Sequence, residues 1–216
     1  MSVTTRLDTS RAGTSESPAS EVVVAVAHQK GGVGKSTSAA LLATELAWLR
    51  PDAQILVEDL DPDRNLTSRW PGDTPTVHLI EAGQGQGHIR ILDTGPGHTD
   101  RLAEVLRRAD YVVVPVRMEP MSVQAVGLFL PRLREVQRAM NGCPRLAGFL
   151  ATHYVTRSSE HSAMAQQLQT FAQQQGTYLL GVIPFLVSIG MRLSSKGHHY
   201  RPAAQQLLKV LNGAAS

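Results

Sequence analysis

The sequence predicts a doubly wound, mostly parallel α/β sheet with helices on both faces, and three observations carry that prediction. Short, nearly unbroken apolar runs alternate with amphipathic stretches of helical length along most of the chain. The first apolar run ends in a glycine-rich loop that opens directly into a helix. Two later runs, Gln54–Asp59 and Ile89–Asp93, end in aspartate, which sets acidic side chains where such sheets place their sites.

Residues 1–20 are rich in Ser, Thr, Ala and Gly and hold almost no large apolar side chains. They cannot bury enough surface to offset ordering entropy, so a flexible tail is expected ahead of a single domain over 21–216. Val22–Ala27 reads as the first strand and about Ser36–Leu49 as the first helix. Gln54–Asp59 reads as a second strand stopped by Asp61-Pro62, and Val77–Glu81 as a third. Ala82–Gly87 is expected to be a flexible connection to the fourth strand, Ile89–Asp93, with Arg90 at an exposed end. A helix over Asp100–Arg108 leads to the continuous apolar run Tyr111–Val116, a buried strand. Helices over about Ser122–Met140 and Glu160–Gln175 flank a strand near Leu146–Thr152. The strand Leu179–Ile183 stops at Pro184, and a last helix covers about Ala203–Leu211. Trp48 and Trp70 read as packing residues.

Composition narrows the class. The chain has 216 residues, 42% hydrophobic, and its single cysteine excludes an intramolecular disulfide. The longest apolar runs are about a third of a bilayer-spanning helix, and the first twenty residues lack a signal-peptide pattern. A reducing, cytoplasmic setting is expected. Residues 1–100 hold 8 Lys+Arg against 13 Asp+Glu, whereas residues 101–216 hold 13 against 5, so basic charge gathers in the second half. That balance suits a polyanionic partner.

Lys30-Gly31-Gly32-Val33-Gly34-Lys35-Ser36-Thr37 lies between a strand and a helix, the context a phosphate-binding loop requires. Glycines let successive N–H groups converge on phosphates, and the helix start adds favourable partial charge. Lys35 would reach the β- and γ-phosphates and the Ser36 hydroxyl would ligate magnesium. Gln29 stands where the strict Walker A pattern has glycine, and a second lysine, Lys30, opens the loop instead. Period-two alternation sets Asp59 and Asp61 on one side of the chain. Ile89–Asp93 reads as a Walker B strand whose Asp93 would hold magnesium through water.

The loop resembles that of the ParA/MinD family of deviant Walker A ATPases, whose mark is Lys-Gly-Gly-x-Gly-Lys-Ser/Thr. Asp59-Leu60-Asp61-Pro62 is similar to its Asp-x-Asp-Pro motif, and Gly181-Val182-Ile183-Pro184 to the strand and loop flanking its adenine pocket. The resemblance covers about residues 22–211 and implies a P-loop NTPase fold with ATP and magnesium as cofactors. It assigns Lys30, Lys35 and Asp61 to catalysis, with Asp61 orienting the attacking water. ATP contacts fall on Lys30, Gly31, Gly32, Val33, Gly34, Lys35, Ser36, Thr37 and Pro184, and metal contacts on Ser36, Asp59 and Asp93. Thr152–Tyr154 and Phe185 are expected on the adenine side. The segment between Trp70 and Ile89 is short for the family, so one helix is expected to be missing there.

The function so implied is partition of a plasmid or chromosome. ATP closes a sandwich homodimer in which Lys30 reaches the nucleotide of the other chain. The dimer binds DNA without sequence preference at the nucleoid, and a ParB-like, centromere-binding adaptor stimulates an otherwise weak ATPase. Arg192 matches a DNA-contacting arginine, with Lys196, Arg201 and Lys209 following it. The alternative is a MinD-like or other cargo-positioning ATPase acting on a membrane or protein surface; against the membrane the final segment offers one lysine, Lys209, and an Ala-rich end.

Overall fold

Among the described residues, seven strands lie in one sheet: β1 (Val22–Val26), β2 (Ile55–Asp59), β3 (Val77–Ile80), β4 (Ile89–Asp93), β5 (Tyr111–Arg117), β6 (Arg145–Tyr154) and β7 (Tyr178–Pro184). Their order is β3-β2-β4-β1-β5-β6-β7, and every pairing is parallel. The helices are α1 (Lys35–Leu49), α2 (Asp100–Arg108), α3 (Pro120–Ala139), α4 (Ser159–Gln174) and α5 (Arg201–Leu211). These elements come from a computed structural model that describes residues 21–70, 72–97, 100–185 and 197–213. The expected tail, Arg192 and Lys196 lie outside the described residues.

Alternation along β1 divides the core. Val24 and Val26 face α1 and α5, whereas Ala25 and Ala27 face α2, α3 and α4. Both faces are therefore covered, which is why β1 and β5 read as unbroken apolar runs. From β1 the chain crosses β4 to form β2, and from β4 it crosses β1 to form β5. The connections diverge beside β1 and β4, and a crevice at a sheet's carboxyl edge opens where they do so. Register then places Asp93 beside Val26 on one side and beside Asp59 on the other.

Between β3 and β4 there is no helix, as expected, but the connection is not loose and Arg90 is not at an exposed end. Arg90 is buried. Its guanidinium donates to Glu21, to Glu58 and to the carbonyls of Gln84 and Gly85. Glu58, fully buried, also accepts from Arg108 at the end of α2 and from the Gly83 N–H. Burial works against ionisation of Glu58, and Arg108, the Gly83 N–H and Arg90 together hold its carboxyl below the usual range. Where a covering helix is missing, a polar clasp ties an eight-residue connection to the sheet.

Trp48 departs from expectation in the other direction. It is 68% exposed, with the Arg201 guanidinium 4.2 Å from its ring centre. Arg201 Nε also donates to the buried Glu45 at 2.8 Å, which fastens the start of α5 to α1. Among the described residues, no helix is long and apolar enough to cross a membrane.

Removing Arg90 leaves the buried Glu58 only Arg108 and the Gly83 N–H as partners, so Arg90→Ala should lower the unfolding free energy by about 3 kcal/mol. Arg50→Ala, which removes an exposed pair with Asp52, should leave the urea midpoint nearly unchanged. Equal midpoints for the two variants would show that the clasp does not hold this region.

Candidate functional site

Helix α1 begins against the usual stability rules. Its N-cap is Gly34 in the left-handed region (φ 90°), no side chain caps it, and its first turn has no acidic residue. A lysine, Lys35, stands there instead. The first free N–H groups and the helix dipole therefore meet an added positive charge, an arrangement that an anion satisfies. Lys35 is only 6% exposed and points its ammonium back across the loop, where it donates to the Lys30 carbonyl at 3.1 Å. Burial lowers its pKa, while Asp93 and Asp61 act to raise it. Behind the loop, Thr152 Oγ1 donates to the Val33 carbonyl at 2.8 Å. Thr152, expected on the adenine side, thus braces the phosphate loop.

Opposite Lys35 lies the carboxylate of Asp93, fully buried at the end of β4. Among the described residues, neither of its oxygens has a hydrogen-bond partner of normal geometry. Burial pushes its pKa up to about 7; the Ser36 hydroxyl opposes this, Asp59 adds to it, and Lys35 and Asp61 act in opposite senses. Two orphaned buried oxygens beside a serine hydroxyl fit a divalent cation held partly through water. Among the described residues, no three His, Cys, Asp or Glu side chains converge into a metal cage. A cation that keeps several waters and takes other ligands from phosphate needs no such cage.

The structure brings Asp59 and Asp61 to the same edge but gives them different surroundings. Asp59 is satisfied locally: it accepts from the Asp61 N–H, and from the Thr67 N–H and hydroxyl, both at 2.7 Å. Asp61 is buried and accepts from the Asp63 N–H and from Asn65 Nδ2. Thr67 and Asn65, unread in the sequence, are the residues that aim this turn. The loop after β4 presses against it so closely that a Cβ on Gly95 would lie 2.9 Å from Pro62 Cδ and 3.0 Å from Asp61 Oδ1.

Lys30 sits at the rim rather than in the cradle. Its ammonium donates to Glu119 and, at 3.0 Å, to Ser122 Oγ, at the start of α3. Arg117 pairs with the second oxygen of Glu119 at 3.2 Å. Sequence reading missed Glu119 and Ser122; an acid directly before Pro120 at a strand–helix junction was the available signal. On the far rim His153, at positive φ (56°), stacks on Phe185 with ring centres 5.5 Å apart, next to Pro184. Of the basic residues read as DNA contacts, Lys209 is exposed, Arg201 is engaged by Glu45 and Trp48, and Arg192 and Lys196 lie outside the described residues.

A parallel sheet with an uncapped, glycine-built helix start at the carboxyl end of β1, facing buried carboxylates from β2 and β4, defines a P-loop nucleotide-binding domain. Residues 24–197 match the family model described as the CobQ/CobB/MinD/ParA nucleotide binding domain, and the chain belongs to that family. It is 32% identical over 188 residues to the chromosome-partitioning ATPase Soj of Thermus thermophilus, covering 68% of this chain and 73% of that protein. A putative plasmid partition protein of Borrelia burgdorferi, solved bound to AMPPNP, superposes with TM-score 0.70 at 18% identity, covering 90% of this chain and 100% of that one. Cobyrinic acid a,c-diamide synthase of Mycobacterium smegmatis, solved with an ATP analogue and magnesium, gives 0.71 at 22%, covering 90% and 97%. Both structures share the fold.

The raised pKa of Asp93 has a sign that can be measured. Between its ordinary value of 3.8 and about 7 the folded chain keeps a proton that the unfolded chain has released. Stability from this group therefore falls as pH rises through that window. Asp93→Asn should stabilise the chain without ligands at pH 7–8 by roughly 1–4 kcal/mol, the gain vanishing as pH falls below about 4. Urea midpoints of both proteins across that range check it; a difference independent of pH would contradict the assignment.

Proposed function

We propose that this chain is a ParA-type ATPase of DNA partition, which pairs into a homodimer on binding ATP and magnesium and binds DNA without sequence preference in that state. The observation that carries the reading is the second loop lysine. Lys35 fills the cradle, while Lys30 holds its ammonium at the rim, partly exposed, on the first turn of α3. A cation so placed adds little to the phosphates of its own chain, which supports a role toward those of a second copy.

The reaction is phosphoryl transfer to water, in which positioning and charge stabilisation dominate. Magnesium, when bound, neutralises phosphate oxygens; the Ser36 hydroxyl would ligate it and Asp93 would hold it through water. The N–H groups of Gly31, Gly32, Val33, Gly34, Lys35, Ser36 and Thr37 surround the phosphates, with Lys35 on the β- and γ-oxygens. Asp61, held by Asn65 and the Asp63 N–H, orients the attacking water, and Asp59 fixes the turn that carries it while lying beside the metal site. Pro184 and Phe185, with His153 stacked on Phe185, flank the base. DNA contacts fall to Arg192, Lys196 and Lys209 in the basic second half, with Arg201 fixing α5 on α1. A cargo-bound adaptor of the ParB kind stimulates hydrolysis, and the protein works in the cytoplasm on the nucleoid.

Lys35→Ala should weaken ATP binding by about a hundredfold or more, since a buried charge-assisted contact is lost. Lys30→Ala should keep ATP affinity within about threefold while abolishing ATP-dependent pairing in sedimentation. Normal pairing and turnover in Lys30→Ala would contradict the reading.

Asp61→Ala should bind ATP and pair, yet hydrolyse about a hundredfold more slowly, as expected when a water-positioning group is removed. Single-turnover assays check it, and an unimpaired rate would move the role elsewhere.

Binding to unrelated duplexes should appear with ATP and fall steeply with salt. Arg192→Glu combined with Lys196→Glu should remove it without affecting pairing; unchanged DNA affinity would contradict this surface.

A further inference from the structure

His28, two residues before the lysine that opens the loop, is fully buried, and the Lys30 N–H donates to its Nδ1 at 2.9 Å. An acceptor at Nδ1 requires that Nδ1 be unprotonated, so the neutral ring carries its hydrogen on Nε2. The ring lies nearly parallel to Phe129 of α3, with an interplanar angle of 8° and centres 5.9 Å apart. Its two neighbours reach the same helix: Gln29 Nε2 donates to the Ala125 carbonyl at 3.3 Å, and the Lys30 ammonium is held by Ser122 and Glu119. Glu119, Ser122, Ala125 and Phe129 follow one stripe of α3. Three successive residues are thus mounted on one helix face, and the Lys30 backbone is fixed by a ring that is itself fixed to that helix.

We propose that His28 is a positioning residue for Lys30: its neutral imidazole, stacked on Phe129, accepts the Lys30 N–H and sets the loop's first lysine in register with α3. Its part in turnover rests on the role of Lys30 proposed above, whereas its effect on the loop does not. Nothing in the sequence motif itself requires a histidine here. An asparagine at this position would present Oδ1 where Nδ1 now lies, and a phenylalanine would keep the stack but offer no acceptor. Without an acceptor the Lys30 N–H is a partly buried orphan donor, and the loop entry loosens.

The test has a structural arm and a functional arm. In the wild-type chain without nucleotide, ¹⁵N-detected NMR should find His28 as the Nε2–H tautomer, neutral at pH 6. A ring protonated at Nδ1 would overturn the proposal. In His28→Phe, hydrogen exchange at the Lys30 amide should quicken roughly ten- to hundredfold with exchange in β1 and β5 unchanged, and His28→Asn should restore protection. Equal protection in His28→Phe would overturn it. In the functional arm, His28→Phe should bind ATP within about threefold of wild type yet lose about tenfold in turnover, with rescue by His28→Asn. Unaltered turnover beside a loosened Lys30 amide would overturn the functional half. Should His28→Phe not fold, the tautomer in the wild type and exchange in His28→Asn still decide. A wild-type chain that neither pairs nor turns over ATP counts against the proposed function, while the NMR arm still decides the role of His28.

Discussion

Asp93 and Lys35 face each other, both buried, at the carboxyl edge of the two central strands, and neither is fully satisfied by protein groups. Among the described residues the carboxylate finds no hydrogen-bond partner of normal geometry, and the ammonium donates to a carbonyl of its own loop. An imbalance of this kind opposes folding unless something else supplies stability. Here that is the packing of β1, β4 and β5 between two layers of helices, which leaves the unsatisfied charges at one crevice. The left-handed Gly34, the uncapped start of α1 and the close seat of Gly95 against Asp61 all follow from bringing three strand ends to that point.

The polar clasp and the Arg201 anchor serve the same geometry from a distance. Arg90 and Arg108 hold Glu58, the residue directly before Asp59, so the end of β2 is tied to α2 and to the connection after β3. Arg201 ties α5 to α1, the helix into which the phosphate loop opens. On the other face α3 carries residues 28–30. Each acidic or basic group at the crevice thus sits on an element braced by contacts well away from it, as pre-organised electrostatics requires.

Much of this was legible because the relevant signals are local. Apolar runs and helical periods gave the element order, and consecutive residues spell the loop, the Asp59–Asp61 turn and the strand ending in Asp93. The features that were misread or unread depend on partners remote in sequence. Arg90 looked like an exposed strand end because Glu58 lies 32 residues away and Glu21 69. Trp48 looked like packing because the guanidinium that covers it belongs to α5, and Arg201 was read only as a DNA contact because its acceptor Glu45 is 156 residues distant. His28, Glu119 and Ser122 went unread for a related reason, since their chemistry exists only once the loop rests on α3.

The central claim is that the opposed charges at this crevice are completed by a nucleoside triphosphate together with magnesium. Calorimetric titration of the wild-type chain with ATP, ADP and AMP, each with and without magnesium, tests it most directly. The account predicts one site per chain that binds ATP with magnesium and loses at least about tenfold in affinity without the metal, with AMP weaker again. Equal affinities for ATP and AMP, or ATP binding indifferent to magnesium, would contradict it.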